Sequence, residues 1–371
     1  MDRFEGRLGL IQLLLANYRK HLYELMAQSC DGGLSVFAAQ PPAKAAMAEA
    51  PEFVDVDYVQ SHNVYLFGKS LLLCWQRGLL RWLNHWQPDA LIVDTNPRIL
   101  SNRLAVRWMH RRGRPALAWG LGVMPLSPGL HQLRAIGRAK YLRSFDGIIA
   151  YGSRAANDYE KLGIAKDRVF VAHNATARRP TTLPPSRPDG FHKRPRVLFV
   201  GRLIEGKRVD NLFHAAAALP ESIQPSIDIV GDGPSRPQFE AVAREIYPRA
   251  RFAGARFGDE LVAFFHRADL FVLPGLGGLA VQEAMAHGLP VVVADADGTQ
   301  DDLVGTENGW HSPSNDIDRL RQLLAEALSD APRLRRMGQA SFRIVAEKIN
   351  VEAMAQSMVD AVCVVSDRRT R

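Results

Sequence analysis

A glycine-rich turn between two apolar stretches is the part of this sequence best suited to bind a ligand. Within residues 270–293, an apolar strand is followed by Gly275, Gly277 and Gly278, then a helix and a second apolar strand. Glycines let the backbone approach a ligand closely, and the start of a helix offers N–H groups to an anion. Glu283 lies about one turn into that helix, where its carboxylate could accept hydrogen bonds from ligand hydroxyls. These features predict a nucleotide-sugar site.

Two cations follow the first strand of the same half of the chain. Arg202 and Lys207 lie in a loop after the strand predicted at 197–200, and we expect this loop at the same sheet edge as the glycine-rich turn. Two cations there could hold a diphosphate and neutralise the charge that builds on it as a bond to a sugar carbon breaks. A solvated basic loop is the alternative. Another turn, with Gly231 and Gly233, ends the next strand.

Alternating apolar strands and amphipathic helices position these turns. The 371 residues are enough for two domains, and a proline-rich linker at 177–194 separates them. The alternation predicts an α/β protein with two Rossmann-like, doubly wound parallel-sheet domains facing across a cleft. The predicted domains are residues 1–180 and 190–345. Residues 346–371 form a final helix that we expect to cross back to the first domain.

Polar residues follow the strands of the first half. Its first strand is followed by Asn17, Tyr18 and Arg19, a turn that is a poor dinucleotide cradle but suits an acceptor substrate. Loops also follow the strands at 90–93 and 115–119, and ligands of open α/β sheets gather at such strand ends. The other acceptor-side candidates in these loops are Asn96, Arg98, Gly120 and Leu121.

Basic residues are concentrated in the first half. Residues 1–180 hold 24 Lys and Arg against 14 Asp and Glu, whereas the remainder holds 23 against 25. We expect the first half to face anionic lipid, a diphosphate-bearing substrate or nucleic acid, unless the charge is only a solvated surface. Residues 66–86 are predicted to form one helix with a broad apolar face. Its Trp and Leu residues with Arg77 and Arg81 fit a helix at a membrane interface, although a core helix gives nearly the same pattern.

The composition argues against several classes of protein. Apolar residues make up 47% of the chain and charged residues 23%, as in soluble globular proteins. No apolar run reaches the roughly 18–20 residues of a membrane span. Asp2 and Glu5 are unlike the basic start of a signal peptide. Three widely spaced cysteines indicate neither a disulfide framework nor a metal cluster. We expect a cytoplasmic protein, associated with the inner face of the cell membrane.

Several short motifs occur in a fixed order along the second half. They are Gly201-Arg202-Leu203 with Lys207, Gly231-Asp232-Gly233-Pro234, Ala268–Pro274, Glu283-Ala284-Met285-Ala286 and Asn308-Gly309. In this order they resemble the retaining GT-B glycosyltransferases of family 4, most densely over residues 195–345. The first half is also similar to the acceptor domain of that family, at Asn17-Tyr18-Arg19, Asp94–Arg98, Trp119-Gly120 and from Ala150-Tyr151-Gly152-Ser153 through His173-Asn174.

The resemblance implies transfer of a sugar from a nucleotide donor with retained anomeric configuration, without a bound metal or other cofactor. By position, Arg202 and Lys207 would bind the diphosphate and Glu283 the ribose hydroxyls. The leaving diphosphate would help to deprotonate the acceptor, so no protein nucleophile is needed. The donor-binding candidates are Gly201, Gly231, Gly233, Arg256, Gly275, Gly277, Gly278, Leu279 and Ala280. Expected partners are a UDP- or GDP-linked sugar, a glycan or polyprenyl-diphosphate-linked acceptor and an anionic membrane, but not nucleic acid.

Two positions depart from the pattern of that family. Gly275 stands where the family usually has a glutamate that meets donor-sugar hydroxyls, eight residues before Glu283. Leu121 stands where members often carry a histidine near C6 of the sugar. Both departures remove polar contacts to the sugar and leave the nucleotide contacts intact. We therefore expect a donor sugar that is less polar at C6, such as a 6-deoxyhexose or a pentose.

Other readings of the sequence stay open. Asp55-Val56-Asp57 and Asp295-Ala296-Asp297 match a metal-binding Asp-x-Asp pattern, but neither brings further ligands and we expect no metal. His173 and His287 are either catalytic bases or structural histidines. Residues 252–257, which include Arg256, either line a base pocket or only connect two elements. The alternative functions are a GT-B nucleotide-sugar hydrolase or epimerase and a degenerate, non-catalytic member of the family.

Overall fold

The chain divides into two compact units, each with its own parallel sheet. The computed structural model describes residues 3–41, 52–66, 73–123, 131–296 and 298–370. Unit 1 comprises residues 1–174 and 351–371, and unit 2 comprises residues 175–350.

A seven-stranded parallel sheet forms the centre of unit 1. The strands of this unit are β1 (Leu8–Leu14), β2 (Leu34–Ala39), β3 (Val56–Gln60), β4 (His62–Leu66), β5 (Leu73–Arg77), β6 (Ala90–Asp94), β7 (Ala116–Gly120), β8 (Gly147–Ala150) and β9 (Val169–Val171). The sheet has the order β3-β2-β1-β6-β7-β8-β9, and β4 and β5 form a separate antiparallel pair. Central strands such as β6 are apolar along almost their whole length because helices cover both faces of a parallel sheet.

Five helices connect these strands. They are α1 (Lys20–Gln28), α2 (Leu79–Trp86), α3 (Leu100–His110), α4 (His131–Leu142) and α5 (Ser153–Lys161). The inner faces of α2 and α3 bury Trp82, Leu83 and Met109 against the sheet. Burial of such large apolar side chains stabilises each helix by about 1.5–3 kcal/mol per residue.

Unit 2 repeats this architecture with six parallel strands. They are β10 (Arg196–Val200), β11 (Ser226–Val230), β12 (Ala250–Gly254), β13 (Leu270–Leu273), β14 (Val291–Ala294) and β15 (Gly309–Ser312), in the order β12-β11-β10-β13-β14-β15. The helices are α6 (Val209–Ala217), α7 (Arg236–Ile246), α8 (Gly258–Arg267), α9 (Leu279–Ala286), α10 (Ile317–Leu328) and α11 (Ala331–Glu347). The carboxylates of Asp316 and Asp330 cap α10 and α11 by accepting hydrogen bonds from backbone N–H groups, each at 2.8 Å.

The final helix α12 (Val351–Thr370) belongs to unit 1, where it packs on α1. A break at residues 348–350 separates it from α11, and the buried amide of Asn350 donates to the carbonyl of Val345 at 2.8 Å. By length and composition alone, residues 331–369 could cross a membrane, but 56% of the qualifying window is buried inside the protein. Burial of this extent is typical of helices in a protein core.

The prediction of a single helix over residues 66–86 is wrong. Residues 73–77 form strand β5, which pairs with β4, and only residues 79–86 are helical. Gly78, at φ +90°, separates the two because a left-handed residue cannot continue either element. The local pattern in β5 alternates between buried and exposed side chains, which is the period of a strand. Residues 67–72, which include Lys69, lie outside the described part of the chain.

The segment of residues 252–257, predicted either to line a base pocket or to connect two elements, includes the end of a strand. Its first three residues end strand β12, at the edge of the sheet of unit 2, where Phe252 packs against the core. A single large apolar side chain is too weak a pattern to distinguish a short edge strand from a connection.

A half-buried arginine ties the linker to the core of unit 2. The guanidinium of Arg187 donates hydrogen bonds to the carbonyls of Phe265, Ala268, His287 and Gly288 at 3.0–3.1 Å. Burial and the neighbouring Arg335 lower the pKa of Arg187 to about 10. The group therefore stays charged at neutral pH and holds together the ends of α8 and α9.

We expect Arg187→Ala to destabilise unit 2 by about 2–4 kcal/mol, because four carbonyls lose a charged donor and some stay buried. Urea unfolding followed by circular dichroism would measure the change. The matched control is Arg251→Ala, which removes an exposed arginine from the same unit. Equal midpoints for the two variants would contradict the role given to Arg187.

Candidate functional site

The direction of winding reverses between β10 and β13, at the centre of the sheet of unit 2. Strands β11 and β12 lie on one side of this point and β14 and β15 on the other. Loops at the carboxyl ends of the two central strands flank a crevice where open α/β sheets bind ligands. The loop at 201–207 follows β10 and the turn at 274–278 follows β13. The structure thus brings the two predicted loops together, and Leu276 donates its N–H to the carbonyl of Gly206 at 2.9 Å.

The turn after β13 presents a row of unused backbone donors. Among the described residues, the N–H groups of Gly277, Gly278, Leu279 and Ala280 donate to no acceptor. Helix α9 begins at Leu279 and no side chain caps it. Gly277 has a φ of +115°, a conformation that glycine adopts without strain. Four free donors at the positive end of a helix dipole form a binding site for an anionic group.

A glutamine that the sequence did not single out holds this turn in place. Gln300 is 1% exposed, and its side-chain amide donates to the carbonyl of Gly277. The hydroxyl of the preceding Thr299 lies only 2.6 Å from where a Cβ on Gly278 would be. Both residues follow β14, the strand next to β13. Their position after this neighbouring strand was the signal in the sequence that could have identified them. Because Gln300 fixes the carbonyl of Gly277, the adjacent N–H groups are oriented before any ligand binds.

Lys207 reaches the same turn from the loop after β10. Its ammonium donates to the carbonyl of Leu276, and a Cβ on Gly277 would lie 2.3 Å from Nζ. Arg202 lies in the same loop and is exposed, and its guanidinium makes no hydrogen bond or ion pair to other described residues. One cation is therefore held against the turn and another is free to meet a ligand.

Gly275 is in contact with the backbone of the loop that carries Lys207. A Cβ at this position would lie 2.3 Å from the carbonyl oxygen of Gly206 and 2.6 Å from the carbonyl carbon of Lys207. Side-chain atoms do not approach backbone atoms this closely, so a glutamate at 275 does not fit this arrangement of the loops. The departure from the family pattern is thus built into the backbone packing of the site.

The turns after β10 and β11 approach each other in the same way. A Cβ on Gly231, whose φ is +139°, would lie 1.9 Å from the carbonyl oxygen of Gly201. A Cβ on Gly233 would lie 2.3 Å from the carbonyl oxygen of Leu203. These predicted donor-side glycines therefore serve first to let two loops meet backbone to backbone.

The carboxylate of Asp232, between these glycines, accepts from the N–H of Gly233 at 2.7 Å and from Arg236 at 3.0 Å, and these bonds lower its pKa. Arg256 is exposed, and it pairs with Glu260 at 3.1 Å on the surface of α8. Neither contact involves the glycine-rich turn of residues 275–278.

Glu283 is half-buried on the second turn of α9. Desolvation by burial raises the pKa of its carboxyl, and no other described group compensates the charge. A carboxylate in this state favours ligand hydroxyls that can donate hydrogen bonds to it. His287 follows the last residue of α9, about 12 Å from the start of the helix. Its ring stacks on that of Phe265 with centroids 5.0 Å apart.

The two candidate histidines, His173 and His287, have different surroundings in the structure. Burial, His266 and Arg187 lower the pKa of His287 to about 4, and the ring stacks on the buried Phe265, which favours a structural histidine in unit 2. His173 is half-buried in unit 1, in the segment that follows β9. In the first Asp-x-Asp segment, Asp57 accepts a hydrogen bond from the hydroxyl of Ser35 at 2.6 Å. In the second segment, Asp297 lies outside the described residues.

The predicted acceptor-side loops of unit 1 also meet at a point where the winding reverses, between β1 and β6. Asp94, at the end of β6, accepts from the N–H of Asn96 at 2.7 Å, and burial raises the pKa of its carboxyl. Gly120 lies against Thr95, whose hydroxyl would be 1.9 Å from a Cβ on that glycine. Leu121 follows Gly120 and is half-buried, whereas Arg98 is exposed.

Arg19 is buried, whereas a residue that binds substrate from a turn is expected to be exposed. Only 4% of the residue is exposed, and its guanidinium lies 5.0 Å from the ring of Trp119 and 5.1 Å from that of Tyr18. It donates to the side chain of Asn174 and contacts the sulfur of Met354 on α12 at 3.5 Å. Tyr18, which is 49% exposed, is the member of this turn that a ligand can reach. Asn17 begins the same single helical turn and is half-buried.

We expect Gly275→Ala to destabilise the protein by about 1–3 kcal/mol, because the methyl group must push the 206–207 backbone away. The change in free energy of unfolding would be measured in urea. Gly190→Ala is the control, since a Cβ at that position meets nothing within 4 Å. If both variants unfold at the same midpoint, the close backbone contact does not exist.

We expect Glu283→Gln to stabilise the ligand-free protein at neutral pH. Burial raises the pKa of the folded state, so the native carboxyl adds stability below its ordinary value of 4.5 and loses that contribution as pH rises through the folded-state value. The gap in melting temperature between variant and parent should therefore grow from acidic to neutral pH. Glu245→Gln, at an exposed position on α7, controls for the loss of a charge. A gap that is constant with pH would show that the carboxyl is not desolvated.

Comparison with known proteins shows which sequences this chain is similar to. Residues 186–343 match the family model described as glycosyl transferases group 1. The chain is 32% identical over 209 residues to a GDP-mannose-dependent alpha-mannosyltransferase of Mycobacterium tuberculosis (strain CDC 1551 / Oshkosh), covering 55% of this chain and 51% of that relative. It is 25% identical over 305 residues to the lipopolysaccharide core biosynthesis glycosyltransferase LpsE of Rhizobium meliloti (strain 1021), covering 76% and 88%.

The fold is shared with solved glycosyltransferases. The lipopolysaccharide outer core galactosyltransferase WaaB superposes with a TM-score of 0.70 over 96% of this chain and 99% of that chain, at 18% identity. The predicted α/β, two-domain GT-B fold is therefore confirmed. The chain spans about half the length of the mannosyltransferase that it matches. The segment that matches the group 1 glycosyl transferase model lies within unit 2.

Proposed function

We propose that the protein is a retaining glycosyltransferase that uses a nucleotide-sugar donor. The observation that carries this proposal is the turn at residues 277–280, where four N–H groups without an acceptor among the described residues lie beside Lys207. This combination suits a diphosphate, and it lies in the segment that matches group 1 glycosyl transferases. No metal or other cofactor has a part in the reaction that we propose.

Each charged residue has a distinct part in the proposed reaction. Arg202 and Lys207 hold the diphosphate and stabilise the negative charge that grows on it as the bond to the sugar carbon breaks. Glu283 accepts hydrogen bonds from the ribose hydroxyls. The departing diphosphate takes the proton of the acceptor hydroxyl, which attacks the same face of the sugar and so retains its configuration.

The acceptor is proposed to bind to the loops of unit 1. Tyr18, Asn96 and Arg98 are exposed or half-buried at the carboxyl edge of its sheet, next to the partly desolvated Asp94. A glycan offers hydroxyls to these polar groups, and a polyprenyl-diphosphate-linked glycan adds an anion for Arg98. We propose a role in envelope polysaccharide or glycoconjugate synthesis, which is in line with the name of the relative LpsE, a lipopolysaccharide core biosynthesis glycosyltransferase. We also propose that the protein works at the inner face of the cell membrane.

The donor sugar is proposed to be a 6-deoxyhexose or a pentose. Gly275 has no side chain and no room for one, and Leu121 is apolar, so neither position offers a polar contact. A buried hydroxyl without a partner costs about 1–3 kcal/mol, which disfavours a sugar with a free 6-hydroxyl. GDP-mannose, the donor named for the mycobacterial relative, is the natural competitor.

A donor panel would test the transfer and the choice of sugar together. We expect product from a 6-deoxyhexose or pentose donor, linked to UDP or GDP, at least about tenfold faster than from GDP-mannose or UDP-glucose. Preference for a 6-hydroxylated hexose would overturn the sugar assignment but not the transfer. Free sugar formed without any acceptor would identify a hydrolase, and an altered nucleotide sugar an epimerase. A chain that binds nucleotide sugars yet forms no product with any acceptor would be a degenerate member.

We expect Arg202→Gln to lower kcat/KM by about 10²–10³-fold without changing the melting temperature. The reason is that Arg202 is exposed and its guanidinium makes no hydrogen bond or ion pair within the described chain, so its proposed role is toward the ligand. Arg251→Gln removes the same charge from an exposed site on the edge strand β12 and should leave the rate unchanged. Full activity in the first variant would remove Arg202 from the proposed mechanism.

A further inference from the structure

Three side chains from separate loops meet at the carboxyl edge of the sheet of unit 1. Asp94 ends β6, Tyr151 follows β8, and Tyr18 belongs to the turn after β1. In the register of the sheet Asp94 pairs with Trp119, and Trp119 pairs with Ile149, so the side chains of these three residues lie on one face. The ring of Tyr151 lies on the same face, since its centroid is 5.3 Å from that of Trp119.

The buried Arg19 holds the two tyrosine rings in place. Its guanidinium carbon lies 5.1 Å from the ring centroid of Tyr18 and 5.8 Å from that of Tyr151, distances at which a cation attracts an aromatic ring. Tyr18 nevertheless remains 49% exposed. Its ring is therefore fixed by the protein and still open to a ligand.

Asp94 and Tyr151 each present a polar group that the described chain leaves without a partner. One carboxylate oxygen of Asp94 accepts from the N–H of Asn96 at 2.7 Å. No described donor reaches its other oxygen, and no described cation forms an ion pair with it. The hydroxyl of Tyr151 makes no hydrogen bond to the described residues either. Both residues are half-buried, so a ligand can reach them from the crevice at the sheet edge.

The charges around Tyr151 show that these groups lie close enough to act on one another. Burial raises the pKa of the Tyr151 hydroxyl, the positive charge of Arg19 opposes this rise, and Asp94 and Tyr18 add to it. The hydroxyl therefore stays protonated at neutral pH and can donate a hydrogen bond. Burial also raises the pKa of Asp94, because the carboxylate is short of donors. Hydroxyl groups of a ligand can supply the missing donors.

We propose that Asp94, Tyr151 and Tyr18 form a subsite for one neutral sugar unit of the acceptor. Asp94 accepts a hydrogen bond from a sugar hydroxyl, Tyr151 donates to a second sugar oxygen, and the ring of Tyr18 packs against the apolar face of the sugar. A sugar that carries a carboxylate or phosphate at this position is rejected, because the charge of Asp94 repels it. The assignment of this sugar to an acceptor rests on the proposed function, whereas the binding of a sugar does not.

Saturation-transfer NMR without a donor tests the subsite directly. The probes are methyl β-D-galactopyranoside, methyl β-D-glucopyranoside and methyl α-D-mannopyranoside, each compared with its 6-carboxylate counterpart. At least one neutral glycoside should bind the parent at least about tenfold more tightly than its carboxylate. Asp94→Asn should abolish that preference, because an amide does not repel an anion, and Tyr151→Phe should weaken binding of the neutral glycoside about tenfold. No signal from any neutral glycoside with the parent would overturn the proposal.

Matched variants separate sugar binding from folding. Tyr18→Phe keeps the ring and should retain binding, whereas Tyr18→Ala should lose at least about tenfold in affinity. Glu160→Gln, at a half-buried position of α5, and Tyr65→Phe, at an exposed position of β4, remove the same groups elsewhere in unit 1 and should bind like the parent. Glycoside binding that is unchanged in Asp94→Asn, Tyr151→Phe and Tyr18→Ala would overturn the proposal.

The binding result is independent of the transfer reaction, because no nucleotide sugar is present. If transfer fails in every assay while the glycosides bind as expected, the subsite stands and the proposed transferase function falls. If transfer occurs and Asp94→Asn leaves the KM for the acceptor unchanged, the transferase function stands and the subsite is overturned.

Discussion

The donor side of this protein depends on backbone-to-backbone contact between two loops of unit 2. The turn after β13 touches the loop after β10 through the bond from Leu276 to Gly206, and Gly275 leaves no space for a side chain between them. The turn after β11 meets the same loop through Gly231. Because peptide groups carry this contact, the free N–H groups at residues 277–280 occupy fixed positions before a ligand binds. Such preorganisation is the main source of electrostatic stabilisation in enzyme sites.

The charged side chains of the site are placed where a ligand could form ion pairs and hydrogen bonds with them. Lys207 is held against the turn and Arg202 extends into solvent, while Glu283 bears a desolvation cost that raises the pKa of its carboxyl. A bound nucleotide diphosphate would supply the missing anion to the two cations, and ribose hydroxyls would supply donors to the carboxylate.

The positive charge of the first half serves several purposes that composition cannot separate. Arg19 is buried among aromatic rings and belongs to the internal structure of unit 1. Arg114 donates hydrogen bonds to the carbonyls of Gln87 and Pro88 at 3.0 and 2.9 Å and so also serves the internal structure of that unit. Exposed arginines without an ion pair among the described residues, such as Arg77, Arg81 and Arg98, retain the attraction for an acidic partner that the net charge suggested.

The sequence by itself determined the alternation of strands and helices, the two parallel sheets and the glycine turns at their carboxyl edges, because periodicity and turn chemistry are local. Several features needed the tertiary structure. The β4–β5 hairpin replaced a predicted helix, since pairing with β4 overrides the apolar content of residues 73–77. The roles of Gln300 and Gly275 depend on residues that lie 23 and more than 65 positions away in the chain. No local pattern records such contacts, because they exist only once the sheet has brought its strand ends together.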